Sequence, residues 1–452
     1  MHLLAASCYF YMAFVPVYIF ILAVTIVVDY IAGIYIEGAS GKKRKAILVV
    51  SIISNVGFLA FFKYFNFLND NLSLLLGKFG FHNHIPALEI LLPIGLSFHT
   101  FQAMSYTIEV YRGNQKAEKH FGIYALYVMF YPQLVAGPIE RPQNMLHQFR
   151  EKHSFDYHRV VDGLRLMLWG MFKKVVIADR LAVYVNEVYR HPQTYHGFTI
   201  LTACYFFAIQ IYCDFSGYSD IAMGSAKVMG FDLMQNFRVP YFASSIREFW
   251  SRWHISLSTW FRDYVYFPLG GNRVKEWRWF FNLLIVFMIS GLWHGAKWTF
   301  VIWGALHGIL LIAGILINRI QPVRKMLSTG WGKIIATITT FHLVVLGWIF
   351  FRADSLHDAR LILVGLFRFS GSAFTINLGY GKEFLDHIEL LLSFGLIALL
   401  LMVNWVEQRT PVNLAVQKLK PVQRWMIYYS CVMLIIFLGN YSSRMDFIYF
   451  QF

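Results

Sequence analysis

Runs of about twenty apolar residues recur along this chain from one end to the other, and no other feature limits its fold as much. A helix rising 1.5 Å per residue needs about 20 such residues to cross a hydrocarbon layer roughly 30 Å thick. Inside that layer the backbone must satisfy its own hydrogen bonds, and long runs without alternation do so as helices. Of the 452 residues, 57% are hydrophobic and 14% charged, where a soluble domain carries roughly a quarter charged residues. Mean hydropathy is +0.50. The fold class expected is an all-α polytopic membrane protein, read as one membrane domain over 1–452, with no repeats or linkers.

The formal net charge is +15. The basic residues sit in short loops between apolar runs, which is the bias of cytoplasmic loops. No RNA- or DNA-binding pattern interleaves with them, so membrane lipids and not nucleic acid are the expected partner. Cys8, Cys204, Cys213 and Cys431 lie in apolar stretches without metal or redox spacing, and read as small hydrophobes. Met1 is followed by His2 and not by a basic segment, so insertion is expected from the first apolar helix and not from a cleaved leader.

Charge orders the spans. Residues 15–36 cross, and GKKRK at 41–45 marks a cytoplasmic loop. Residues 46–68 return outward, the loop 69–89 is poor in Lys and Arg, and 90–111 come back in. Residues 121–139 are broken by Pro132, Gly137 and Pro138, which predicts a re-entrant segment buried in protein. Residues 160–187 carry Lys173, Lys174, Asp179 and Arg180 and are expected partly at an interface. Residues 198–231 read as a long apolar segment interrupted by CDFSGYSD. Residues 247–273, REFWSRWHISLSTWFRDYVYFPLGGNR, place Trp250, Trp253, Leu257, Trp260 and Phe261 at spacings of three and four. That predicts an amphipathic helix dipping in from the cytoplasmic side. Residues 333–351 go out, 385–406 come in and 425–439 go out again. The tail 440–452 is then extracytoplasmic.

SGLWHGAKWTFVIWGALHG, residues 290–308, sets His294 inside an apolar hairpin over 279–318. From Trp279 to Trp293 is roughly 22 Å of helix, so its turn is expected within the membrane. An ionisable residue there is costly and by default functional. Imidazole titrates near neutrality and suits a general base; the bland alternative is a neutral ring hydrogen-bonded in a bundle. Trp293 and Trp298 could wall a cavity. His254 reads either as an active-site group or as an interfacial histidine. His307 is about 20 Å further along a straight helix than His294 and cannot share a metal with it. His99 and His342 read as packing groups. No HExxH or comparable metal spacing occurs. Asp214, Ser216, Tyr218, Ser219 and Asp220 are either packing glue between spans or the lining of a substrate tunnel. Arg247, Glu248, Arg252, Arg262 and Asp263 read as an internal salt-bridge set whose arginines could also meet the phosphates of an anionic donor.

The two motifs at 247–272 and 290–308 resemble the membrane-bound O-acyltransferase family, in its bacterial alginate O-acetyltransferase branch. The resemblance extends to IGLSFHTFQAMSYTIEVYRG, FYPQLVAGPIERP, IYCDFSGYSDIAMG and LGWIFFRADS, in family order along nearly the whole chain. It implies a ring of about 10–12 transmembrane and re-entrant helices around a central funnel. It implies His294 as the catalytic histidine and His254 as the second active-site position; Trp293, Trp298, Arg252, Arg262, Asp214 and Ser216 are the substrate-binding candidates that the residues themselves offer. It implies a further apolar helix ahead of LLAASCYFYMAF. Nothing is expected bound permanently; acyl-CoA, such as acetyl-CoA, or an acyl-carrier thioester serves as co-substrate. The implied setting is the bacterial inner membrane, where an acyl group, acetyl by preference, crosses for O-acetylation of alginate, cellulose or peptidoglycan. The implied partners are an extracytoplasmic SGNH-type acyltransferase and polysaccharide secretion machinery. The tail FIYFQF resembles the tyrosine-bearing motif of small companion proteins in teichoic D-alanylation, which makes Tyr449 a candidate acyl relay; an aromatic interfacial anchor is the plain alternative. The competing class is a transporter or channel passing a donor or glycan without covalent chemistry.

Overall fold

Apolar length, not helix propensity, decides where the helices fall. In the computed structural model, which describes residues 1–88, 93, 95–368, 387–441 and 447–448, regular structure is helical and contains no strand among the described residues. In chain order the helices are α1 (His2–Met12), α2 (Ile19–Gly38), α3 (Gly41–Leu59), α4 (Phe65–Lys78), α5 (Leu96–Arg112), α6 (Phe121–Met129), α7 (Pro142–Met145), α8 (Tyr157–Met171), α9 (Asp179–Arg190) and α10 (Phe198–Met229). There follow α11 (Ile246–Arg252), α12 (Ile255–Phe261), α13 (Glu276–His294), α14 (Trp298–Ile317), α15 (Gln321–Leu327), α16 (Gly330–Arg352), α17 (Leu356–Leu366), α18 (His387–Glu407), α19 (Val412–Gln417) and α20 (Pro421–Leu438). Wider π turns join α3 to α4, α8 to α9, and continue α12 through Arg262–Tyr266. Seven described helical stretches are long and apolar enough to cross a membrane.

Contacts group the chain into two units. One holds 1–163 and 222–234; the other holds 164–221 and 235–452. In the first, α2, α3 and α5 pack around a buried carboxylate. Asp29 accepts from Ser51 Oγ at 2.5 Å and from Asn55 Nδ2 at 2.8 Å, and Ser51 Oγ also meets Thr107 Oγ1 at 3.1 Å. A charge at that depth survives only when its oxygens are met by such donors. The segment expected to be re-entrant is α6, which stops at Met129, followed by an irregular buried run. Hydrogen bonds within the protein hold it: Gln133 Nε2 donates to Tyr127 O at 3.2 Å, and Tyr127 Oη donates to Glu140 O at 2.8 Å.

The second unit centres on the hairpin α13–α14. A side chain added at Gly291 would stand 2.2 Å from Phe300 O, and one at Gly304 2.2 Å from Phe287 O. The two helices therefore touch backbone to backbone, which only small residues permit. Helix α16 lies against α14 and brings Trp348 and Phe351 to it.

Several expectations need correcting. GKKRK is the first turn of α3 and not a loop, because Ser40 breaks the helix one residue earlier. Helical structure then runs to Lys78, so the span is longer than 46–68. Helix α10 is continuous over 32 residues; its polar residues pair sideways and do not interrupt it. The amphipathic segment 247–273 is two short helices and a π turn, broken at Trp253 and His254. Helix α13 starts at Glu276, so its 19 residues measure about 28 Å, nearly the hydrocarbon thickness.

Gly304→Val should prise the hairpin apart. Overpacking of this kind costs about 1–3 kcal/mol, so the thermal midpoint of the detergent-solubilised protein should fall. Gly314→Val is the control, since a side chain there meets nothing within 4 Å and should leave the midpoint unchanged. Equal midpoints for the two variants would contradict the backbone contact.

Candidate active site

His294 is the last residue of α13, and the chain turns immediately after it. A side chain at Gly295 would fall 2.1 Å from the Phe300 ring, so the turn closes only with glycine there. The imidazole is 4% exposed. Three rings enclose it at centroid distances of 4.8 Å (Trp293), 5.1 Å (Trp303) and 5.2 Å (Phe351). Trp303 comes from α14 and Phe351 from α16, so three helices build the enclosure. Such walls keep water away from the imidazole.

His254 joins α11 to α12 and is 1% exposed. Its φ of 43° is left-handed, a conformation that costs a residue with a side chain about 1–2 kcal/mol. Neighbouring backbone over-determines it. Ile255 N donates to Asn236 O at 3.0 Å, Ser256 N to Asn236 Oδ1 at 3.3 Å, and Arg238 N to Arg252 O at 2.9 Å. Strain held this firmly marks a position chosen for where it points a side chain. The ring meets Phe215 of α10 at 4.6 Å and Trp293 at 6.1 Å. Trp293 therefore contacts both histidines.

The polar residues of α10 face the π turn Phe172–Ala178, whose extra width belongs to a helix distortion common at functional sites. Lys173 Nζ lies 2.6 Å from Asp220 and donates to Ser216 Oγ at 2.9 Å. Lys174 Nζ lies 2.7 Å from Asp214 and 2.8 Å from Asp179. Burial lifts the Asp179 carboxyl to about 6, against the opposing pull of Lys174. Asp214 Oδ2 also accepts from the backbone N–H of Ile448, at 2.7 Å. The Phe447 ring stands 5.1 Å from Tyr218 and 6.1 Å from Phe215. Phe447 and Ile448 of the C-terminal tail are thus buried against α10, on the Phe215 ring that His254 also meets. Tyr449 itself lies outside the described residues.

A cleft of about 960 Å³ opens between α11–α12 and the hairpin. Arg247, Arg262 and Trp250 stand on one side, Trp279, Phe287 and Ser290 on the other. Neither histidine lines it, but Ser290 is one helical turn from His294 and Ile255 adjoins His254. Arg252 does not reach it; this guanidinium is ion-paired to Glu248 at 2.5 Å and donates to Val239 O. Arg262 pairs with Asp263 at 2.8 Å. Trp298 is half-exposed, at the start of α14. His307 is a packing residue, accepting from Trp250 Nε1 at 3.3 Å and standing 5.1 Å from Trp303. His342 is held by Tyr205 Oη at 2.9 Å. Phe215 and Phe351 escape a reading of the sequence because each is distant in the chain from the histidine it supports, and Asn236 and Trp303 because nothing in the pattern shows which way their side chains turn.

Residues 115–352 match the MBOAT, membrane-bound O-acyltransferase family, and so include both histidines and everything that encloses them. The chain belongs to that family. As a membrane-bound O-acyltransferase it is similar to probable alginate O-acetylase AlgI of Pseudomonas aeruginosa, 39% identical over 371 residues, which covers 81% of this chain and 69% of that protein. It is similar to the peptidoglycan O-acetyltransferase of Helicobacter pylori, 35% identical over 86% of this chain and 77% of that protein. It is more distantly similar to the teichoic acid D-alanyltransferase of Bacillus subtilis, 27% identical over 61% of this chain and 72% of that protein. The chain is accordingly an O-acyltransferase of the alginate O-acetyltransferase-like branch and a multi-pass membrane protein.

His254→Asn and His254→Val both remove the imidazole and differ in backbone tolerance. Asn enters the left-handed region readily and a β-branched residue does not. His254→Val should unfold with about 1–2 kcal/mol less stability than His254→Asn. Matching denaturation midpoints would mean that the turn relaxes at no cost.

Proposed function

We propose that the chain moves an acetyl group from a cytoplasmic thioester, acetyl-CoA or an acetylated carrier, to an acceptor hydroxyl that reaches the site from the outer side. The end product is an O-acetylated extracytoplasmic polysaccharide of the alginate, cellulose or peptidoglycan kind. The observation that carries this reading is the enclosure of His294 by Trp293, Trp303 and Phe351 next to a second buried histidine. The names of the similar proteins support acetyl as the group and a cell-envelope polymer as its destination.

The chemistry follows from those groups. His294 takes the proton of the acceptor hydroxyl as its oxygen attacks the thioester carbonyl. His254 steadies the donor or the oxyanion that develops. When the C–S bond breaks, the departing thiolate recovers the proton from the His294 imidazolium, leaving an ester and a free thiol. The cleft between α11–α12 and the hairpin offers arginines at its rim and apolar walls within, which suits a donor with phosphates at one end and a thioester at the other. The acceptor hydroxyl is assigned to Tyr449. Its neighbours Phe447 and Ile448 are buried against α10, which supports a tail folded inward. An acetyl-tyrosine then passes its group to an extracytoplasmic acyltransferase of the SGNH type. The tail and its transferase lie on the periplasmic face of a bacterial inner membrane.

General-base help is worth about 10²–10⁴ in rate. His294→Ala, correctly inserted, should lower polymer acetylation in cells by at least about a hundredfold. Polymer acetylated at the wild-type level would remove the base assignment. Mass spectrometry of the C-terminal peptide during turnover should find acetyl on Tyr449, and full activity in Tyr449→Phe would remove the relay.

A further inference from the structure

Charge inside a helix bundle is costly unless it is matched, and the match around Lys174 is incomplete. One ammonium is shared between two carboxylates, Asp214 at 2.7 Å and Asp179 at 2.8 Å. The trio carries one negative charge in excess. What meets that excess is backbone from the far end of the chain, the N–H of Ile448 on Asp214 Oδ2 at 2.7 Å. A hydrogen bond to an ionised acceptor is roughly twice as strong as one between neutral groups. The same element grips the segment where it leaves α20. Asn440 N donates to Val175 O at 3.0 Å, Asn440 Nδ2 to Asp179 O at 3.2 Å, and Arg180 to Leu438 O at 2.7 Å. Residues at both ends of 438–448 are therefore held by the stretch 174–180 and by the carboxylate that Lys174 pairs with. Aromatic contact completes the seat. Phe447 shares the Phe215 ring with His254, since Phe215 is 6.1 Å from one and 4.6 Å from the other.

We propose that Lys174, Asp179 and Asp214 form a clamp for the chain's own C-terminal tail, with Asp214 as the positioning residue that holds Ile448 against α10, where Phe447 shares the Phe215 ring with His254. Its catalytic meaning rests on Tyr449 being the acyl relay; the clamp itself does not. Lys174 fixes Asp214 through their ion pair, and Asp214 fixes the backbone one residue before the tyrosine. A seat made of one charge-assisted hydrogen bond and two ring contacts is reversible, as a carrier that loads at one site and unloads at another requires.

Hydrogen exchange of the full-length protein in detergent, resolved to single amides by fragmentation in the gas phase, reads the clamp directly. The Ile448 amide should be protected, and Asp214→Ala should speed its exchange about tenfold or more. Asp214→Asn keeps the side chain's shape and an acceptor oxygen but loses the charge, and should speed it several-fold; this variant guards against misfolding in Asp214→Ala. In the same preparations kcat for Tyr449 acetylation should fall about tenfold while the KM for acetyl-CoA stays at the wild-type value, a split that general loosening of the fold would not give. Unchanged exchange at Ile448 in both variants overturns the clamp. Faster exchange with wild-type turnover keeps the clamp and overturns the relay instead.

Discussion

Helices α13 and α14 can touch only because Gly291 and Gly304 carry no side chain, and the site is built on that contact. A side chain at either position would meet a carbonyl oxygen at 2.2 Å. With the backbones this close, Trp303 of α14 reaches over the end of α13 and closes on His294. Helix α16 then adds Trp348 and Phe351 against Trp303. Separate the hairpin by the width of a methyl group and the wall around the imidazole opens. The transfer we propose needs this tight packing, because a thioester donor survives only where water is kept out.

Protein, more than lipid, provides that exclusion. The imidazole of His294 is almost fully buried by the chain itself. Aromatic rings from three helices surround it. The second histidine is placed by a different device, a left-handed backbone held by Asn236 and Arg238. One position is thus set by helix packing and the other by local strain. Trp293 ties them together, so movement of either element is felt at both. The charges obey the same rule of satisfaction within protein: Lys173 with Asp220, Lys174 with Asp214 and Asp179, and in the other unit Asp29 with Ser51 and Asn55.

Much of this was legible in the sequence, for reasons that are physical. Apolar length announces spans, so α14, α16, α18 and α20 fall close to where hydropathy puts them. The apolar flanks of His294 and its following glycine announce a buried hairpin. What pattern cannot convey is sideways pairing. The run CDFSGYSD reads as an interruption because its polar residues break the hydropathy, whereas in α10 they are matched across to the π turn and the helix continues. The amphipathic stretch reads as one helix because its aromatic spacing is regular, whereas the left-handed turn at His254 splits it; nothing about a histidine signals positive φ. Charge alone does not say which of the arginines at 247–262 pair within the chain; Arg252 is ion-paired to Glu248, four residues back, and Arg262 to Asp263. Distant partners such as Phe215 and Phe351 become visible only once the chain is folded.

The most direct test of a two-sided site at His294 is the sidedness of the acyl group. The purified chain is sealed into lipid vesicles, and radiolabelled acetyl-CoA is supplied only to the face that carries the basic loops. An esterase confined to the opposite compartment then interrogates the label. Ester-linked acetyl should form on the chain, be released by that esterase, and be absent in His294→Ala. Label that the opposite compartment cannot reach, or that forms equally in His294→Ala, would contradict transfer across the membrane through this histidine.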